Sequence, residues 1–340
     1  MTVIPGGRFT AATVCVALLA AMPAAAEQAP SARASWRPLV KLAGIVDVVG
    51  PRADGRLVVA TRAGLYLLRP GRVPEAFARG QGGYAPEGGE PYIALSLDRR
   101  VPGAGCAFVR DDIYALDASS SPGVVRIDRR GRAGRFAELP SGAFPSGIAY
   151  DNGGAFGYRL LVTTVIGETT TLYAIDCRGR MTPLTRGGPR VEGGIAVAPK
   201  SFGKFAGDLL AADENSGRIF AFGPKGGVAF VVDSRLPAGA DIGVEGIGFV
   251  PHGLGRGAAA YFADLGAPGS PTEGNDNLLV LRGGDLARAR FVAGDLVVAT
   301  EAGARTLAVR CAVRCTIRQV AAGPATTHGE GHITFVPGAS

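Results

Sequence analysis

The five residues Leu57-Val58-Val59-Ala60-Thr61 return unchanged as Leu296-Val297-Val298-Ala299-Thr300, and each copy is followed by a charged residue and then Ala-Gly. Looser copies stand between them, Leu160-Leu161-Val162-Thr163-Thr164 and Leu209-Leu210-Ala211-Ala212-Asp213. Short β-type segments repeating every ~40–50 residues are the signature of propeller blades, each a small sheet that buries its faces only against its neighbours. The second strands of successive units start at 57, 113, 160, 209, 260 and 296, at intervals of 56, 47, 49, 51 and 36. Six blades follow, with one compressed interval.

The unit around residue 200 shows the internal pattern best. Four apolar runs, 194–198, 208–213, 218–222 and 228–232, are separated by turn signals such as Asn215-Ser216-Gly217 and Pro224-Lys225-Gly226-Gly227. The unit starting near Gly294 enters at its second strand. Its missing first strand is expected at the C-terminus, in His332–Pro337, so that a terminal strand completes the last blade and removes open sheet edges. On this reading the strands at 57 and 296 are neighbours across the ring closure. Two stretches, Gly80 to Glu90 and Gly266 to Asp276, fit no strand and read as long loops on the scaffold, a place for a small-molecule ligand or a protein partner.

Residues 1–26 are set apart. Arg8 precedes an apolar run from Ala11 to Met22 that ends in Pro23-Ala24-Ala25-Ala26, the pattern of a secretory signal peptide cleaved after Ala26. The run is too short for a membrane span, and Cys15 lacks the preceding small residue of a lipid-anchored cysteine. Residues 27–340 are then a single propeller domain outside the cytoplasm, secreted or periplasmic, with no membrane anchor. Gly and Pro number 75 of 340 (52 and 23), which suits many short strands and tight turns. The net charge of +7 does not indicate a nucleic-acid partner. Most Arg residues are scattered singly, and the cluster Arg129-Arg130-Gly131-Arg132 falls at a hairpin turn. Four cysteines remain after residue 26, and disulfides are the default in an oxidising compartment. Cys311 and Cys315 flank a hairpin neck, which leaves Cys106 and Cys177 to pair by elimination.

The residues with most chemical content precede the first strands. Glu192-Gly193-Gly194-Ile195 and Glu330-Gly331-His332-Ile333 match in position, Glu245-Gly246-Ile247 is one residue shorter, and Glu90-Pro91-Tyr92-Ile93 carries the same acid. The third unit has Pro145-Ser146-Gly147-Ile148, and the first has Leu42 at that place. First strands surround the axis of a propeller, so Glu90, Glu192, Glu245 and Glu330 are expected to face one another. Carboxylates that close raise one another's pKa or hold a cation, and an all-oxygen site favours calcium or magnesium, with calcium first. His332, which replaces Gly194 of the matching run, is the candidate catalytic base or an added ligand. Asp151, Asn152, His252 and His328 are lesser candidates. The plain alternative is a duplicated turn whose carboxylate caps backbone N–H groups. Serine-nucleophile elbows, phosphate loops and zinc-protease motifs are absent from the sequence.

In its blade pattern and in Glu192-Gly193 and Glu245-Gly246, the chain resembles the six-bladed propellers of the gluconolactonase or senescence-marker-protein superfamily, with its strictosidine-synthase-like and paraoxonase-like members. The resemblance implies one divalent metal on the axis, held by Glu192 or Glu245 together with Asn and Asp partners, which polarises a lactone or ester carbonyl. The proline and aromatic that follow Glu-Gly in that family are absent here. Two functions follow as expectations: a secreted metal-dependent hydrolase of small lactones or esters, or a non-catalytic propeller that binds a ligand or protein, its glutamates structural or holding calcium.

Overall fold

A computed structural model describes residues 1, 2 and 34–338. The expected signal peptide, residues 1–26, lies outside the described residues apart from its first two. Every described strand belongs to one compact unit, Ala32–Ser340, and the architecture is all-β and propeller-like.

Strand β1 (Arg37–Lys41) is followed by four meanders of consecutive antiparallel strands. The first is β2 (Ile45–Val49), β3 (Leu57–Thr61), β4 (Gly64–Leu68) and β5 (Glu75–Phe77). The second is β6 (Ile93–Leu95), β7 (Ile113–Asp117), β8 (Gly123–Ile127) and β9 (Ala133–Glu138). The third is β10 (Phe144–Tyr150), β11 (Leu160–Ile166), β12 (Thr169–Ile175) and β13 (Met181–Pro189). The fourth is β14 (Glu192–Val197), β15 (Leu209–Asp213), β16 (Arg218–Phe222) and β17 (Val228–Asp233). The expected second strands thus begin where the repeat placed them, and residues 80–90 and 266–276 carry no strand.

The remainder breaks the sequential order. After β18 (Val244–Phe249) come β19 (Ala259–Asp264), β20 (Asn277–Arg282), the short α-helix α1 (Gly283–Ala289), then β21 (Leu296–Thr300), β22 (Thr306–Cys311), β23 (Cys315–Ala322) and β24 (Gly329–Val336). They form a nine-stranded sheet in two antiparallel parts, β18-β21-β22-β23 and β24-β19-β20-β1, with Ala34–Ser35 added beside β23. One parallel pair, Ile247 with His332, joins the parts. The chain therefore passes from β18 into the neighbouring part, and α1 returns it to β21.

Two expectations are corrected by this interleaving. The C-terminal strand does close a sheet, but it pairs with β19 and not with the repeat strand at 296, whose inner partner is β18. Nor are the two identical repeats neighbours, because β19 and β20 stand between them. Alternation along β19 makes the point: Ala259, Tyr261 and Ala263 pack with Leu57 and Val59, whereas Ala260 and Phe262 pack with Val297 and Ala299. The 36-residue interval arises because the strands at 260 and 296 each have a first strand, the later one borrowed from before β19.

The inner strands are neighbours in turn: β2 lies beside β6, β6 beside β10, β10 beside β14, β14 beside β18, β18 beside β24, and β24 beside β2. Between the sheets lie buried clusters of aliphatic and aromatic side chains. Both expected disulfides are present, Cys106–Cys177 and Cys311–Cys315. Among the described residues no helix is long and apolar enough to cross a membrane.

Candidate functional site

Antiparallel pairing sets the start of each first strand against the end of its second strand: Ile45 faces Thr61, Glu192 faces Ala212, and Val244 faces Thr300. Residues that precede first strands and residues that follow second strands therefore meet at one mouth of the inner strands. The charged residue after the opening repeat falls there in both copies, Arg62 after β3 and Glu301 after β21, and Glu214 follows β15 in the same way. These acids add to the expected glutamates.

Three of the four expected glutamates come together. The Tyr92 hydroxyl is 2.9 Å from Glu90 Oε2, 2.8 Å from Glu330 Oε2 and in close contact with Glu245 Oε1. Tyr92, Glu245 and Glu330 are buried, with Glu90 at the solvent edge, where Arg62 reaches its Oε1 at 3.4 Å. Carboxylate oxygens of Glu90, Glu245 and Glu330 lie within 4.8 Å of one another. The fourth, Glu192, pairs with Arg190 at 2.8 Å and stands apart from this convergence.

Two further groups adjoin it. Glu214, Glu245 and Glu301 form one; Asp241, Glu301 and His328 form the other, each with donor atoms within 4.8 Å. His328 Nε2 is 3.4 Å from Glu301 Oε1 and 3.3 Å from Glu330 Oε1. Glu301 Oε2 is buried without a hydrogen-bond partner.

Burial, reinforced by neighbouring carboxylates, holds Glu245, Glu330 and Glu301 well above the usual carboxylate range. For Glu245 the neighbours are Glu330 and Glu90, for Glu330 they are Glu90 and Glu301, and for Glu301 chiefly Glu245. Glu214, buried beside Glu192, is pushed up to about 7. Burial and the same charges raise the Tyr92 phenol, which therefore keeps its proton. Burial lowers His328, favouring the neutral imidazole.

One hydroxyl hydrogen cannot serve three carboxylates. Either the carboxyls share further protons or a cation occupies the convergence. An all-oxygen donor set of this kind suits a hard cation such as calcium.

The Glu-Gly pairs have a backbone reason as well. Gly193 has φ +82°, and a Cβ there would fall 2.0 Å from Glu245 Cγ; Gly331 has φ +70°, and its Cβ would fall 2.6 Å from Asp47 Oδ1. Glycine lets the strand start fold over its neighbour's carboxylate. Recurrence of the pair thus has a structural cause beside any chemical one.

His332 is bound elsewhere. Its Nδ1 is 2.9 Å from Asp47 Oδ2, and its Nε2 is 3.2 Å from the Ile195 carbonyl oxygen. It lines a 480 Å³ cavity with Leu95, Pro199, Phe249 and Phe335, residues at the far ends of the inner strands or beyond them. Asp151 accepts N–H groups from Gly154, Phe156 and Tyr158, which organise its own loop. Asn152 borders the same cavity as His332, and the exposed His252 joins no group of metal-type donors among the described residues. Tyr92, Asp241, Glu214 and Glu301 are not among the site residues expected from the sequence. The one available signal was the charged residue that ends each copy of the repeat.

Neither a protein-family model nor a curated protein sequence matches the chain. Solved structures do match in fold. A calcium-binding protein, regucalcin, from Agrobacterium tumefaciens is 13% identical over 89% of this chain and 82% of its own, with a TM-score of 0.50. A gluconolactonase of Xanthomonas campestris is 15% identical over 68% and 69%, with a TM-score of 0.41. Virginiamycin B lyase of Staphylococcus aureus is 11% identical over 84% and 87%, with a TM-score of 0.43. In its fold, this chain is similar to the calcium-binding protein regucalcin.

Proposed function

We propose that this is an exported, six-bladed, cation-binding propeller that hydrolyses small lactones or esters at its acidic mouth, residues 27–340 forming the domain. The two parts of the nine-stranded sheet, each with four principal strands, count as two blades beside the four meanders. Two disulfides support an oxidising compartment. The observation that carries the reading is the convergence of Glu90, Glu245 and Glu330 on the single hydroxyl proton of Tyr92.

In this reading Glu90, Glu245 and Glu330 hold the cation, calcium first, and Glu192 stays at the rim with Arg190. A bound divalent cation supplies Lewis acidity toward a lactone or ester carbonyl. The Tyr92 hydroxyl orients the buried carboxylates, and Glu90, the one open to solvent, is placed to take a proton from water. His332 serves from a distance, because both of its ring nitrogens are engaged. A general-base role would require it to leave Asp47 or the Ile195 carbonyl.

Calorimetric titration of calcium into dialysed protein, with a lactone and ester panel run before and after chelation, tests this. Calcium binding and turnover that are lost together in Glu245→Gln support it; absence of calcium binding removes it. A non-catalytic propeller is the second reading, favoured by the position of the Tyr92 hydroxyl at the centre of the three carboxylates. It requires a folded protein without turnover, with or without calcium.

A further inference from the structure

His328 is a buried histidine, 3% exposed, whose Nε2 points into the acidic mouth. Its separations from Glu301 Oε1 and Glu330 Oε1, 3.4 and 3.3 Å, match no strong charge-assisted hydrogen bond, which would be about 2.7–2.9 Å. The separation from Glu301 does match the edge of a ligand tetrahedron: with metal–ligand bonds of about 2.1 Å, neighbouring ligands stand about 3.4 Å apart. Glu301, also 3% exposed, turns its Oε1 toward His328, and its buried Oε2 has no hydrogen-bond partner. Asp241 supplies a third donor within 4.8 Å and is exposed, so the group opens to solvent on that side.

We propose a second cation site at this mouth, formed by His328 Nε2, Glu301 and Asp241 with Glu330 Oε1 at its edge, that takes a borderline first-row divalent metal such as zinc. The inference goes beyond the calcium reading, since its nitrogen ligand and two of its carboxylates lie outside the Glu90, Glu245 and Glu330 convergence. One imidazole among carboxylates selects for zinc, cobalt or nickel over calcium, which prefers oxygen throughout. Glu330 borders both sites: Oε2 faces Tyr92 and Oε1 faces His328. Two cations of different hardness then divide the carboxylates between them, which resolves the crowding that one cation leaves at Glu301.

Cobalt(II), a coloured stand-in for zinc, tests the site directly. Dialysed full-length protein is titrated with cobalt in the presence of excess calcium, and metal per chain and the visible spectrum are read. One tightly held cobalt with an intense low-symmetry d–d band is expected. Asp241→Asn, at an exposed position that spares the fold, should weaken cobalt binding by about tenfold or more. His328→Gln should abolish the band, with its melting curve as the check on folding. Glu90→Gln should leave the band in place while calcium binding falls. No cobalt uptake against calcium, or uptake and spectrum unchanged in Asp241→Asn, overturns the proposal. Loss of calcium binding with the cobalt site intact fails the calcium reading alone.

Discussion

Asp47 holds the inner ends of three strands with one carboxylate. It is fully buried on β2 and accepts the N–H groups of Val48, Ile93 and His332 as well as His332 Nδ1–H. That set satisfies its four acceptor positions. With Nδ1 facing a carboxylate and Nε2 facing the Ile195 carbonyl, both ring nitrogens of His332 must donate, so the ring is an imidazolium. Burial works to lower its pKa, but the Asp47 charge, the hydrogen bond to Asp47 and the Ile195 and Ile148 carbonyls together outweigh burial, and the net shift is upward from 6.5. A base whose pKa is raised on folding contributes stability that is complete below pH 6.5 and is lost as pH rises through the folded value. In cation-free protein the melting temperature should therefore fall over that window, and His332→Gln should flatten that part of the profile. Calorimetry over a pH series checks it. Identical slopes in the two proteins would mean that His332 is not the charged tie described here.

At the scale of the element, the two disulfides do different work. Cys106–Cys177 spans 71 residues and links a short hairpin between β6 and β7, formed by Arg99–Val101 and Cys106–Phe108, to the turn after β12, tying the second meander to the third; Cys311–Cys315 spans 4 and closes a turn already paired in register. Loop-closure entropy assigns about 4 kcal/mol to the first and about 2 kcal/mol to the second. The double variant Cys106→Ala/Cys177→Ala should accordingly lose more stability in urea titration than Cys311→Ala/Cys315→Ala, and the reverse order would show that strain or denatured-state structure dominates. Both pairs were legible in sequence, one from its hairpin and the other only by elimination. Strand positions were legible for the same reason as the hairpin, because alternation and turn residues are local. Glu301 was half legible. Its place after the repeat was visible, but only the antiparallel register reveals that this place meets Glu245. The order of the last strands was not legible, since β18 and β21 pair across the 46 residues 250–295, with β19, β20 and α1 between, and nothing local marks the exchange.

Taken as a whole, the molecule is closed by both ends of the described chain at once. The sheet β24-β19-β20-β1 takes its innermost strand from the C-terminus and its outermost from the N-terminal side. Just before β1, Trp36 is 2% exposed, packs against Phe262 with ring centroids 5.9 Å apart and planes tilted by 46°, and donates its indole N–H to Thr306 Oγ1, fastening that end to the adjoining part of the sheet. The two closures are unequal. Deleting residues 329–340 removes Glu330 from the acidic mouth, His332 from Asp47, and the apolar Ile333 and Phe335 from the core, and it leaves the inner edge of β19 unpaired. Starting the chain at residue 42 removes an outer strand and one tryptophan, a loss of about 3–5 kcal/mol for the ring alone. The C-terminal truncation should therefore abolish cooperative melting, whereas the N-terminal one should leave a folded protein with a lowered melting temperature. Far-ultraviolet dichroism followed through thermal melts of both chains decides it, and an unchanged melting temperature in the C-terminal truncation would overturn closure through β24.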